Sequence, residues 1–236
     1  MKAKIPSVLA IFILLTAITS SVFIINEAKV FTSNADTLDN PQDVRVTNIE
    51  SNSFTVTWLT DNPSIGFVEY SGNGQTNESE ITTKTLTHFV KITNLQNNTN
   101  YSFRINSSGS FFDNLPVSSA VTKNSSTNTQ IISGQVFDKD NFPAKNALVY
   151  IVEGNSNFAS IVTPSGNWIA TIPKVDGNTL LQILVESSVT SIASAKINLQ
   201  DANPVPLIIL GNAYDFRNQT NNTGSNQVPS VQINLP

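Results

Sequence analysis

The sequence predicts an all-β protein, in which two tandem antiparallel β-sandwiches follow an N-terminal apolar helix. Lys2 and Lys4 precede an uncharged, largely apolar stretch at residues 5–25. From about residue 41 onward, apolar residues recur with a period of two, in short runs bounded by Asn, Gly, Asp or Pro. This alternation is typical of half-buried antiparallel strands. Residues 122–130 contain no apolar side chain and divide the runs into two groups.

The N-terminal segment, residues 1–35, predicts export. Two lysines followed by an apolar stretch, most apolar at residues 8–17, are the pattern of a secretory signal. The uncharged residues 5–25 are also numerous enough for a membrane-spanning helix, which needs about 20 residues. Ser33-Asn34-Ala35 offers a cleavage site, so a cleaved signal and an uncleaved anchor both remain open. Either one places the rest of the chain outside the cell, because the lysines stay in the cytoplasm.

The composition excludes several classes of function. Charged residues make up 13% of the chain, against about a quarter in ordinary soluble proteins. The net charge is −4 and there is no run of Lys or Arg, which disfavours nucleic acid as a partner. The chain has no cysteine, which excludes disulfides, thiol catalysis and cysteine-based metal sites.

The first predicted sandwich covers residues 41–123. Its clearest strand places Phe54, Val56 and Trp58 on one face, with Thr55 and Thr57 on the other. Such alternation predicts one face toward a core. The same pattern recurs at Val44 and Val46, Val68 and Tyr70, Val90 and Ile92, and Tyr101, Phe103 and Ile105.

These strands resemble a fibronectin type III domain, an immunoglobulin-like sandwich, in the variety found ahead of the catalytic domain of purple acid phosphatases. Leu95, Thr99 and Tyr101 fit the family's L-x-x-x-T-x-Y pattern, with Asn97 where a proline is usual. A Tyr at the start of a strand can bury its ring and hydrogen-bond back to the preceding corner. The other matching stretches are Pro41 and residues 53–61, 66–72, 88–95 and 98–105.

The resemblance does not imply phosphatase activity. The dimetal centre of those enzymes lies in a separate domain with several His, Asp and Asn ligands. This chain has one histidine, His88, which shares a strand face with Val90 and Ile92 and is therefore predicted to be buried and hydrogen-bonded. Neither a catalytic triad nor a metal site can be assembled from the remaining residues. We therefore predict no enzymatic activity and no cofactor.

Residues 124–130 are the predicted linker, and a second sandwich is predicted at residues 131–212. From residue 130 onward the chain resembles carboxypeptidase regulatory-like, transthyretin-like sandwiches. Gly166 permits the family's later bend, Trp168 enters the following strand, and apolar runs at 180–185 and 205–210 complete about seven strands. The family's opening pattern is matched by Gly134, Val136, Asp138, Pro143, Ala147 and Val149.

The charged residues of this half have simple interpretations. Related collagen-adhesin B-type domains form Lys–Asn isopeptide bonds beside a buried acid, but their E-x-x-x-P-x-G-Y sequence is missing here. Glu153 and Glu186 are therefore predicted to be solvated surface charges. Residues 138–141 lack the glycine and glutamate of a calcium loop and predict a hairpin turn.

Residues 213–236, rich in Asn, Gln, Ser and Thr, predict a disordered or extended tail.

The function indicated is that of an exported, non-catalytic structural or adhesive protein at the cell surface, either a spacer or a module for protein–protein interaction. Two alternatives stay open, a glycan-binding module and a non-catalytic accessory of a surface hydrolase. Sugar sites need exposed aromatic rings beside polar groups, and Phe111, Phe112 and Asp113 offer these in a predicted loop. The expected partners are an extracellular protein or glycan, and the membrane if the N-terminal segment is uncleaved. The two halves are expected to fold independently.

Overall fold

The computed structural model describes residues 39–124 and 128–217. The predicted N-terminal signal or anchor, residues 1–35, and residues 218–236 of the predicted tail lie outside this part. Among the described residues, no helix has the length and apolar character needed to span a membrane.

Within residues 39–124 the chain forms an antiparallel sandwich, as predicted. One sheet has the order β1-β2-β5, and the other has the order β4-β3-β6-β7 with β8 also paired to β6. Phe54, Val56 and Trp58 are buried between the sheets, against Val68 and Ile105. The strands are β1 (Gln42–Thr47), β2 (Phe54–Ser64), β3 (Gly66–Gly72), β4 (Gln75–Glu78), β5 (Thr85–Ile92), β6 (Asn100–Ser107), β7 (Ser110–Phe112) and β8 (Ser119–Val121).

Tyr101, at the start of β6, makes the predicted corner contact. Its ring is buried, and its hydroxyl accepts a hydrogen bond of 2.9 Å from the backbone N–H of Gln96. The bond fixes the turn between β5 and β6.

Residues 128–217 form a second sandwich. Its two sheets have the orders β11-β10-β13-β14-β16 and β12-β9-β15. Val149, Ile183 and Val185 from the larger sheet are buried in one core with Val136 and Trp168 from the smaller sheet. The elements are β9 (Thr129–Phe137), β10 (Leu148–Glu153), β11 (Ser156–Ile161), β12 (Asn167–Pro173), β13 (Leu180–Glu186), β14 (Ile192–Asn198), a 3-10 turn (Leu199–Asp201), β15 (Ile208–Ile209) and β16 (Ala213–Asp215).

The second sandwich is longer than predicted at both ends. β9 begins at Thr129, inside the predicted linker 124–130, and β16 lies in the predicted tail 213–236. Tyr214 and Phe216 are buried and their rings stack at 5.2 Å, so two aromatic residues hold the chain to the core although its composition there is polar. The run 205–210 contributes only the two-residue strand β15.

The turn after β9 is the predicted hairpin turn. The side-chain oxygen Oδ1 of Asp138 accepts hydrogen bonds of 2.9 Å from the backbone N–H groups of Asp140 and Phe142. Asn141 has a φ of 61°, a left-handed conformation that Asn tolerates better than most residues. These contacts account for the Asx residues of this segment as turn formers.

Strand β2 differs from the half-buried pattern expected of it. Every residue from Phe54 to Thr60 is buried. Thr55, Thr57 and Leu59 point away from the core of their own sandwich, and the second sandwich covers them. Strand β2, at the centre of sheet β1-β2-β5, is therefore buried on both faces. The chain from Asp39 onward accordingly groups by its contacts into one unit, and the two sandwiches are not separate bodies.

Candidate functional site: the joint between the sandwiches

Two of the three sequence-predicted binding residues lie on an edge strand and not in a loop, and the third, Asp113, directly follows that strand. Phe111 and Phe112 belong to β7, where they pair with Asn106 and Ile105 of β6. The turn itself is formed earlier by Ser108 and Gly109, whose φ values are 49° and 86°. Successive residues of a strand point to opposite faces, so the two rings do not form one aromatic surface.

Only Phe111 is well exposed, at 40%, and its surroundings limit it as a sugar platform. The guanidinium of Arg104 lies 4.0 Å from the ring centroid and covers one face. Arg104 also pairs with Glu69 at 2.7 Å and lies 3.8 Å from the carboxylate of Asp113. Asp113 thus belongs to this surface charge cluster. A ligand role for Phe111, Phe112 and Asp113 remains a prediction.

His88 is a core residue, as predicted. It has no exposed surface, and its ring stacks on Trp58 with centroids 4.5 Å apart. Its Nε2 lies 3.1 Å from the hydroxyl of Ser64, and its Nδ1 lies 3.1 Å from that of Thr82. Burial lowers the pKa of His88 to about 4, so the ring is neutral at physiological pH. In residues 39–124 and 128–217, no group of three or more His, Cys, Asp or Glu side chains could hold a metal ion.

The most distinctive constellation is the joint, which we define as the contact of sheet β1-β2-β5 with the outer face of β10, β11 and β13. Its apolar part is a small cluster of buried residues, with Phe89 and Leu184 packed against it. Because these side chains point outward from their own sandwiches, they belong to neither core. The buried members are Leu59, Leu148, Tyr150 and Ala159.

Hydrogen bonds give the joint a fixed geometry. The hydroxyl of Tyr150 donates to Oγ1 of Thr57 at 3.0 Å, and Oγ1 of Thr87 donates to the carbonyl of Asn146 at 2.7 Å. The side-chain amide of Asn48 donates to the carbonyl of Ala159 at 2.9 Å and accepts from its N–H at 3.0 Å. Asn48 therefore bonds to the outer edge of β11 as a neighbouring strand would. Directional bonds of this kind select one orientation between two surfaces.

A cluster of ionisable side chains around Arg45 lies at one side of the joint. The guanidinium of Arg45 lies 4.4 Å from the ring centroid of Tyr150, 2.7 Å from Asp43 and 3.3 Å from Glu186. Glu186 is buried, so its predicted place as a solvated charge is wrong; the first sandwich covers the strand end on which it lies. Burial raises the pKa of Glu186 to about 8, and both a hydrogen bond with Asp43 and repulsion from it add to the effect.

The protonation of Glu186 predicts an unusual pH dependence of stability. The unfolded chain has an ordinary glutamate pKa near 4.5, so between 4.5 and about 8 the folded state binds the additional proton. Stability should therefore fall as the pH rises through this window. His88 acts in the opposite direction, but only below its ordinary pKa of 6.5. From about pH 6.5 to about 8, Glu186 is the one group of residues 39–124 and 128–217 whose shifted pKa makes stability depend on pH.

We expect Glu186→Gln to remove most of this decline, because glutamine has no proton to lose. Urea unfolding at the two ends of the window measures it, and Glu153→Gln on β10 is the matched control that should keep the wild-type slope. Equal slopes in all three proteins would contradict a titrating Glu186.

Comparison with known proteins bears on the first sandwich. Residues 41–129 match the family described as "Purple acid Phosphatase, N-terminal domain". The match confirms the fibronectin type III-like character predicted for this half. It stops where the second sandwich begins, and the carboxypeptidase regulatory-like resemblance of that half stays a prediction.

Several solved structures show a distant likeness to this chain. The FN5 domain of Drosophila Lar is 21% identical, covers 38% of this chain and 100% of its own, and has a TM-score of 0.31. A two-domain fibronectin type III segment from chicken tenascin is 13% identical and covers 68% of this chain and 99% of its own, with a TM-score of 0.28. The sensor domain of an anti-sigma factor in Pseudobacteroides cellulosolvens is 12% identical over 39% of this chain and 100% of its own, with a TM-score of 0.31. Such low scores add nothing to the family match. A search of curated proteins found no significant relative.

Proposed function

We propose that this chain is an exported, non-catalytic protein of the cell surface, and that its two sandwiches act as one rigid structural and interaction unit. The observation that carries the proposal is the burial of both faces of strand β2, the central strand of sheet β1-β2-β5, from Phe54 to Thr60. Sandwiches joined only by a linker tumble separately, whereas a shared, hydrogen-bonded interface suppresses relative motion. A rigid unit keeps its two ends at a fixed separation, as a spacer must.

Other features support a structural role. The matched family is the N-terminal part of purple acid phosphatases, which does not carry their metal centre. Tyr150, Thr87 and Asn48 use their polar groups to hydrogen-bond across the joint, as a structural contact would. The N-terminal residues 1–35, with their lysines and apolar stretch, support export.

One double-cysteine variant tests export and rigidity together, because the chain has no cysteine of its own. Thr76→Cys on β4 and Thr171→Cys on β12 replace exposed residues, one in each sandwich. We expect a membrane-impermeant maleimide to label both on intact cells. Spin labels at the same positions should give one narrow distance distribution, since the joint holds the sandwiches in one orientation.

Maleimide labelling tests export and the spin-label distances test rigidity, so either one can be contradicted without the other. Labelling that requires cell lysis would contradict export, whereas a broad distance distribution would contradict the rigid unit. Adding Tyr150→Ala to the same variant is the control, because loss of the joint should broaden the distribution.

A further inference from the structure

A groove in the first sandwich lies between the edge strands of the two sheets, β4 on one side and the end of β5 on the other. Its volume is about 670 Å³, within the range of about 300–1,000 Å³ for small-ligand sites. It is distinct from both the joint and the Phe111 cluster. Gln75, Asn77, Asn94 and Gln96 line it, together with the rings of Tyr70 and Tyr101.

The groove exists because β4 extends beyond the sheet that faces it. Asn77 pairs with Tyr70 and Gln75 pairs with Gly72, so both amides share the face that these residues turn toward the opposite sheet. On inner strands this face carries core residues such as Val68 and Phe103. On β4 the same face is exposed and carries the amides of Gln75 and Asn77. This part of β4 can therefore make polar contacts with a ligand.

The aromatic floor and the closed end of the groove are fixed by the protein itself. The ring of Tyr70 is half-buried and packs at 64° to that of Tyr101, with centroids 6.3 Å apart. A Cβ atom at Gly72 would lie 2.5 Å from the Tyr101 ring, so glycine is required for this close approach. The amide of Asn73 donates to Oε1 of Gln96 at 2.5 Å, which ties the hairpin turn to the corner after β5. The site is therefore formed before any ligand arrives.

The chemistry of the lining selects the ligand. Side-chain amides both donate and accept hydrogen bonds, as sugar hydroxyls do. An aromatic ring packs well against the C–H face of a pyranose. The lining residues include two acidic ones, Glu78 and Glu80, and a single lysine, Lys91, so the groove has no excess of positive charge to hold an anion. We propose that this groove binds a neutral oligosaccharide, with the Tyr70 ring beneath a sugar and the amides of Gln75 and Asn77 on its hydroxyls.

This inference goes beyond the structural role, because a rigid unit without any ligand would satisfy the proposed function. It also separates glycan binding from Phe111, whose ring is partly covered by Arg104. The two proposals have independent tests: label distances report on the joint, and sugar titrations report on the groove.

The test titrates the full chain, by calorimetry and by NMR, with cellohexaose, chitohexaose, maltohexaose and xylohexaose, and with hexagalacturonate as the anionic counterpart. We expect at least one neutral hexasaccharide to bind and the uronate to bind more weakly. Tyr70→Ala should weaken binding by about tenfold or more, because it removes the stacking surface. Asn77→Ala should weaken it about three- to tenfold, the value of one hydrogen bond.

Thr76→Ala is the matched control, since Thr76 lies between Gln75 and Asn77 on β4 but its side chain belongs to the opposite face. It should bind as the wild type does. Asn77 is exposed, so its variant keeps the test valid even if Tyr70→Ala reduces stability. Failure of all four neutral sugars to bind would overturn the proposal. Binding as tight as that of the wild type in both Tyr70→Ala and Asn77→Ala would overturn it as well. So would tighter binding of the uronate than of every neutral sugar.

Discussion

Replacing Trp58 with alanine should lower the free energy of unfolding by about 3–5 kcal/mol, the loss expected for a large buried aromatic residue. Trp58 is fully buried and stacks on His88. Its indole N–H has no hydrogen-bond partner among the described residues, so the loss comes from packing. A Cβ atom on the neighbouring Gly66 would lie 2.9 Å from the indole, which shows how closely the backbone fits this ring.

Urea unfolding of the Trp58→Ala variant measures this loss, and the chain supplies its own reporter. Of its two tryptophans, Trp168 lies in the second sandwich and remains as the fluorophore. Because the joint couples the sandwiches, we expect the Trp168 transition to move to lower urea as well. Phe111→Ala, which removes an exposed ring, is the control and should have a small effect. A loss below about 1 kcal/mol for Trp58→Ala would contradict this description of the core.

Replacing Tyr150 with alanine should also cost about 3–5 kcal/mol and should uncouple the two sandwiches. Tyr150 is buried in the joint, donates to Thr57 and lies beneath the guanidinium of Arg45. Removing it deletes the largest apolar surface of the joint and leaves the Thr57 hydroxyl buried without its partner. We therefore expect two unfolding transitions in place of one.

Tyr150→Phe is the matched control. It keeps the ring and removes only the hydroxyl, which leaves the buried Thr57 hydroxyl without its partner, so we expect a loss of about 1–3 kcal/mol and a single transition. Trp58 and Trp168 report one sandwich each, and variants that retain only one of them assign each transition. A single, undivided transition in Tyr150→Ala would show that the joint does not couple the sandwiches.

The core-facing residues of strands and the turn at Asp138 were predicted correctly, because each depends on the local sequence pattern. Phe54, Val56 and Trp58 were assigned to the core by their period of two, and His88 by its parity with Val90 and Ile92. The turn at Asp138 followed from the conformational preferences of Asx residues. Each of these predictions needed only neighbours along the chain, because strand geometry repeats every two residues.

The joint was not predicted, because it depends on how two sandwiches meet. Thr55 and Thr57 are equally suited to a solvated face and to a buried one on which hydroxyls find partners. One signal was present in β10, where Leu148 to Val152 are apolar without interruption. An unbroken apolar run predicts a strand buried on both faces. Glu186 was misassigned for the same reason, since only the arrival of the first sandwich buries it.

Two strands of the second sandwich were missed for a different reason. β11 and β14 contain Ala and Ser where longer apolar side chains would mark a strand. Ala159, Ala193 and Ala195 are nevertheless buried, because small residues fit where sheets approach closely. Hydropathy alone gives such strands too little contrast to be distinguished from loops.

The two faces of the joint differ in how well each one tolerates water. The first sandwich contributes many hydroxyls, from Thr47, Thr55, Thr57 and Thr87, beside Leu59 and Phe89. The second contributes the apolar side chains of Leu148, Tyr150 and Leu184. Because the chain is made from its N-terminus, the first sandwich is available to fold before the second. The face of the first sandwich, which is exposed until the second sandwich folds, is thus the one whose hydroxyls water can solvate. The apolar face of the second sandwich, which would promote aggregation if exposed, can pack against the first sandwich as soon as it forms.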